Sequence, residues 1–241
     1  MSSSADKLTQ RPLDFPGPFQ PQLNNFIPGN NGAVLQLLQQ QCRQPDGWHY
    51  LHGPPACGKT HLLWSLQSAV MQRGLQALYV QIGAEQQLEV LPQLRGQYLL
   101  LLDNAEALSM NERWQQALFH ALQRAQLQQL AVIMAARTAQ AGMLDLLPDL
   151  RSRLATMSQH RVQPLPDSDR AEFVQAYLAR HGVPIDRDVL AYLLNRTTRA
   201  QAHLLAVLQR LCQQVLVSGQ RPTRPMLREL MSAFDQSKRR K

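Results

Sequence analysis

Apolar residues gather in short runs separated by longer amphipathic stretches. The runs at 48–51, 77–82, 98–102 and 130–136 have the length and bulk of buried strands. Between them, apolar positions return at helical spacing at 31–44, from the Gly/Pro-rich turn after residue 52 through Met71, and at 111–126. A short run at 160–163 supplies a fifth strand. Strands alternating with helices predict an α/β unit whose parallel five-stranded sheet is covered on both faces. Past Pro164-Leu165-Pro166, a predicted hinge, nothing reads as strand. The stretches 167–180, 186–195, 198–216 and 222–234 are amphipathic and broken by Gly182-Val183-Pro184 and Gly219-Gln220-Arg221-Pro222, so a small all-helical domain follows.

The two ends differ from this pattern. Pro12, Pro16, Pro18 and Pro21 lie among polar residues in the first 23 positions, and proline both fixes φ and lacks an amide donor, which predicts an extended arm. Residues 237–241 form a basic tail, read as a solvated end. The expected organisation is an arm at 1–23, an α/β domain at 24–164, a helical domain at 165–236 and the tail.

Composition narrows the function classes. Of the 241 residues 44% are hydrophobic, enough for a sizeable core. The net charge of +8 suits an anionic partner without choosing among nucleotide, nucleic acid and an acidic protein face. No apolar run approaches the roughly 18 residues of a membrane span, so no membrane partner is expected. The start, Met1-Ser2-Ser3-Ser4-Ala5-Asp6-Lys7, has no apolar signal core behind it, which points to the cytoplasm. Cys42, Cys57 and Cys212 lack metal-ligand spacing and read as reduced thiols.

The specific chemistry begins at Gly53-Pro54-Pro55-Ala56-Cys57-Gly58-Lys59-Thr60, which fits G-x-x-x-x-G-K-[ST] between a predicted strand and a predicted helix. Glycines let the backbone wrap closely around phosphates, and amides at the helix start, through His61, face their charge. Lys59 would reach the outer phosphates and the Thr60 hydroxyl would ligate Mg²⁺ beside ADP or ATP. The run 98–102 ends in Asp103, where a second metal-side carboxylate belongs. Asn104 follows. An amide cannot act as a base, so hydrolysis by this chain alone should be slow.

The order of these elements resembles the AAA+ nucleotide-binding module and, within it, the DnaA initiator branch. Besides the phosphate motifs, the resemblance rests on Asn25-Phe26-Ile27-Pro28-Gly29-Asn30, on Leu99-Leu100-Leu101-Leu102-Asp103-Asn104, and on Leu147-Pro148-Asp149-Leu150-Arg151-Ser152-Arg153-Leu154. It implies that Phe26 and Ile27 pack on the nucleobase. It also implies that Arg153, in the Ser-Arg pair, is an arginine finger. On a helix start Arg151 and Arg153 diverge by about 200°, so one can hold the fold while the other projects. Two departures weaken self-catalysis further: Ala136 stands where the branch has a polar sensor residue, and Ala202 where the helical domain has a sensor arginine, with Arg199 about one turn earlier.

Regulatory members of this branch carry an N-terminal peptide for the replication sliding clamp, the beta subunit of DNA polymerase III. Gln10-Arg11-Pro12-Leu13-Asp14-Phe15 matches its Q-x-x-L-x-F/L pattern inside the predicted arm. The resemblance thus implies a regulator of replication initiation that binds nucleotide, docks on the clamp through Gln10, Leu13 and Phe15, meets DNA through the loaded clamp, and presents Arg153 to ATP held by DnaA. Monomer and homodimer both stay open. The alternative, an autonomous ATPase of the helicase-loader type acting on single-stranded DNA, predicts a hydrolytic acid after Asp103, and Asn104 is not one.

Overall fold

The computed structural model describes residues 21–91, 98–143, 145–198 and 200–239. Among them, five strands, β1 (Trp48–His52), β2 (Gln76–Gln81), β3 (Tyr98–Asp103), β4 (Ala131–Ala136) and β5 (Ser158–Arg161), form one sheet in the order β2-β3-β4-β1-β5. Every pairing is parallel.

Helices cover both faces: α1 (Gly32–Arg43) and α2 (Lys59–Gln72) one, α4 (Glu112–Leu127) and α5 (Pro148–Ala155) the other; α3 (Glu85–Leu88) is a single turn. This burial on two sides explains the unbroken apolar run of β3. Leu99 and Leu101 join Val34, Leu38, Leu62, Leu63 and Leu66 on the α1/α2 side. Leu100 and Leu102 meet Trp114, Leu118, Leu122, Leu150 and Leu154 on the α4/α5 side. Side chains of a strand alternate faces, so each leucine has a core to enter.

Beyond β5 the chain is helical: α6 (Arg170–Arg180), α7 (Arg187–Arg196), α8 (Gln201–Ser218) and α9 (Arg224–Arg239). They share a separate core of Val174, Leu178, Leu193, Leu204, Val207, Leu208, Leu211 and Leu227. The expected helical domain, a lid on the α/β part, is present. Its first predicted stretch begins with a 3-10 turn, Asp167–Asp169, and α9 runs on past Phe234.

The last strand lies two residues earlier than the apolar pattern suggests. β5 is the sheet edge, its side chains are mostly exposed, and the buried Val162 is the exit residue, its amide held by His52 O at 2.7 Å.

Reciprocal bonds fix the junction of the two parts. Asn31 Nδ2 donates to Gln163 O at 3.0 Å, and Gln163 N donates to Asn31 Oδ1 at 2.7 Å. Gly29, with φ of +48°, lies against Pro166, where a Cβ would come within 2.7 Å of the ring. Arg180 of α6 donates to Asn25 O at 2.5 Å. The lid is thereby tied to the segment around Phe26.

Candidate functional site

The loop 53–60 leaves the C-terminal end of β1, a strand paired on both sides, and runs into the first turn of α2. Its glycines are required by close approach. A Cβ on Gly53 would stand 2.1 Å from Val162 O. Gly58 has φ of +100°, and a Cβ there would meet the Phe26 ring at 2.5 Å. Phe26 thus packs directly on the loop, with its ring centroid 5.9 Å from that of His61. Ala56 also takes a left-handed conformation, φ 60°, which costs an L-residue roughly 1 kcal/mol.

Lys59 Nζ donates to Gly53 O at 2.7 Å and to Pro54 O at 3.0 Å, and lies 3.6 Å from Cys57 Sγ. The ammonium therefore sits inside the curve of the loop. Lys59, Thr60 and His61 open α2, and first-turn amides have no partner within their helix. Burial pushes the Cys57 thiol up, with the ammonium of Lys59 opposing. Burial holds His61 below the usual histidine range, which the contact with Gln22 O at 3.4 Å offsets in part.

Thr60 Oγ1 donates to Asp103 Oδ2 at 2.6 Å, joining the start of α2 to the end of β3. A hydroxyl and a carboxylate in contact at a helix N-terminus, beside a lysine, form a donor set that fits a hard cation carried with phosphates. Thr60 and Asp103 would hold the cation, and Lys59 the phosphates that carry it.

The residues that would activate water are engaged elsewhere. Asn104 has φ of 63°, a conformation asparagine tolerates better than most residues. Its Nδ2 donates to Ile82 O at 3.0 Å, which makes it a turn residue. Glu106, the next acid, is held by Arg137: Nε meets Oε1 at 2.6 Å, and the Arg137 amide meets Oε2 at 3.2 Å. Ala136 places only a buried methyl at the end of β4, and Ala202 is exposed on α8. Arg199 falls outside the described residues.

Arg153 lies at the other end of the sheet. It lines a cleft of about 340 Å³ with Trp48, Gln126, Ser152 and Thr156. Trp48 begins β1, whereas the loop leaves its far end, so about 16 Å of strand separates the two. Arg153 NH1 donates to Gln126 Oε1 at 2.6 Å, and its guanidinium lies over the Phe119 ring. Arg151 is exposed and Arg153 half-buried. The two arginines diverge on α5, and in this chain alone Arg153 is the one folded against a neighbouring helix. Gln10, Leu13 and Phe15 lie outside the described residues. Sequence reasoning missed Gln126 and Phe119 because a contact between α4 and α5 leaves no local motif.

Comparison with known proteins agrees with this architecture. Residues 167–231 match the family model described as Hda, lid domain. Domain III of the Thermotoga maritima replication initiation protein DnaA superposes with a TM-score of 0.76 at 18% identity, covering 90% of this chain and 98% of that one. AMPPCP-bound DnaA from Aquifex aeolicus gives 0.67 at 20% identity, over 94% and 71% of the two chains. The Thermotoga maritima RuvB Holliday junction branch migration motor gives 0.62 at 18% identity, over 88% and 72%. The helical part at 167–231 thus matches the Hda lid family, and the chain has the fold of DnaA domain III.

Proposed function

We propose that this chain is a nucleotide-binding regulator of DNA replication initiation that promotes hydrolysis of DnaA-bound ATP through Arg153. ADP or ATP with Mg²⁺ sits on loop 53–60. Lys59 offsets phosphate charge, the α2 amides orient the phosphates, and Thr60 with Asp103 receives the cation. Phe26 and Ile27 bound the nucleobase. Gln10, Leu13 and Phe15 dock on the sliding clamp, which brings the protein to DNA.

One observation carries this reading: Lys59, Thr60 and Asp103 gather at loop 53–60, Asn104 and Glu106 are tied into other bonds, and Arg153 lies at the opposite end of β1. Arg153 cannot reach a nucleotide on its own loop across that distance. A guanidinium aimed at a neighbour's γ-phosphate stabilises charge that spreads in the transition state, worth about 10³ to 10⁵ in rate in other phosphoryl-transfer systems.

The test is Arg153→Ala in a mixture with DnaA and DNA-loaded clamp. Stimulated hydrolysis should fall by at least about 10² while ADP binding stays normal. Near-parent stimulation would move the finger to Arg151 or remove hydrolysis in trans from the account. A high rate for this protein alone would favour the helicase-loader ATPase.

A further inference from the structure

Asp103 is held by more than Thr60. Its Oδ2 also accepts from the Tyr79 hydroxyl at 2.9 Å, and its Oδ1 accepts from the Asn104 amide at 2.8 Å. Tyr79 stands on β2 opposite Leu101, two positions before Asp103 in the register, so both side chains emerge on the same face of the sheet. The phenol is only 2% exposed. Its ring packs against Trp64 with centroids 5.6 Å apart. A carboxylate can only accept, so the phenol's proton is the one given to Asp103.

Trp64 lies four residues after Thr60, on the same side of α2. Thr60, Trp64, Tyr79 and Asp103 thus close a ring across α2, β2 and β3. An ionised carboxylate offers about four acceptor positions. Thr60, Tyr79 and the Asn104 amide take three of them, and the one remaining is available to water on a cation. Without the Tyr79 donor only the Thr60 hydroxyl and the Asn104 amide restrain the carboxylate about its terminal bond, which has a broad torsional profile.

We propose that Tyr79, backed by Trp64, is a positioning residue that fixes the Asp103 carboxylate for Mg²⁺ carried by the bound nucleotide. The inference rests on the reading of Asp103 as the metal-side carboxylate. It adds that the metal dependence of nucleotide binding is set from β2, a strand that contributes no residue to the phosphate site itself.

The experiment measures ADP affinity of the full chain by calorimetry with Mg²⁺ and in EDTA, for the parent, Tyr79→Phe and Asp103→Asn. The readout is the ratio of the two affinities, so general loosening, which lowers both, cancels. Tyr79→Phe should shrink the gain from Mg²⁺ about tenfold, near the lower side of a hydrogen bond to a charged group. Asp103→Asn should shrink it at least as far. A ratio that collapses in Asp103→Asn but is kept in Tyr79→Phe overturns the role of Tyr79 and leaves the site intact. A parent-like ratio in Asp103→Asn overturns the site reading and the inference with it. Should Tyr79→Phe fail to fold, Trp64→Phe keeps one ring at this place and removes the rest of the indole that backs Tyr79. It should lower the ratio severalfold, and an unchanged ratio there overturns the proposal.

Discussion

The Arg153 guanidinium lies 5.0 Å from the centroid of the Phe119 ring, and the same side chain donates to Gln126, so the end of α5 is strapped to α4. A half-exposed cation–π contact is worth about 0.5–1 kcal/mol. Arg153→Ala should therefore lower stability by about 1 kcal/mol in urea unfolding. Arg153→Lys should regain only part of that, since an ammonium lacks the planar fork of donors. Identical midpoints for all three proteins would show that the strap carries no stability.

Lys59→Ala removes the ammonium held between Gly53 O and Pro54 O. ADP affinity should drop at least about tenfold, equivalent to roughly 1.4 kcal/mol, with the fold preserved. Calorimetry that finds parent affinity would sink the phosphate-binding assignment.

Gly58→Ala should be more damaging than its single methyl suggests. The backbone is left-handed there and the new Cβ would lie 2.5 Å from the Phe26 ring, so the ring or the loop has to move. A loss of about 1–3 kcal/mol is expected, together with weakened ADP binding. A melting curve superimposable on the parent's would contradict the packing of Phe26 on the loop.

Acidification should destabilise the β1/β5 edge. Burial, reinforced by His49 and His52, holds the folded pKa of His160 below its ordinary 6.5. Above that value both states are neutral and nothing is lost. As pH falls through it, the unfolded chain takes up the proton first, and stability declines until the lower folded pKa is passed. His49 Nδ1 lies 3.2 Å from His160 Nε2, a contact that two protonated rings cannot keep. Urea unfolding at about pH 7.5 and about pH 5.5 should show the decline. His160→Gln should flatten it, and an equally steep decline in that variant would assign the effect to other groups.

Replacing Gln10, Leu13 and Phe15 together by Ala should abolish clamp capture and leave the melting of the globular part within about 0.5 kcal/mol. Clamp binding that survives the triple change would relocate the docking site.

Much of the fold is legible in the sequence because it follows short-range rules. β3 reads as buried on two sides from an unbroken apolar run, α4 begins where Asn111 caps Trp114 N, and the loop carries its own signature. What escaped depends on distant partners. The Tyr79–Asp103 bond joins two strands, the strap on Arg153 joins two helices, and the Glu106–Arg137 pair spans β3 and β4 exits. Asn104 shows the middle case: its inability to act as a base is evident from its chemistry, while its service as a left-handed turn residue needed coordinates.

Gly29 against Pro166 and Arg180 on Asn25 O leave the helical part and the Phe26 segment without independent play. They are geared. A helical part that tilts while keeping these contacts carries residues 25–29 with it, so the two move as one lever.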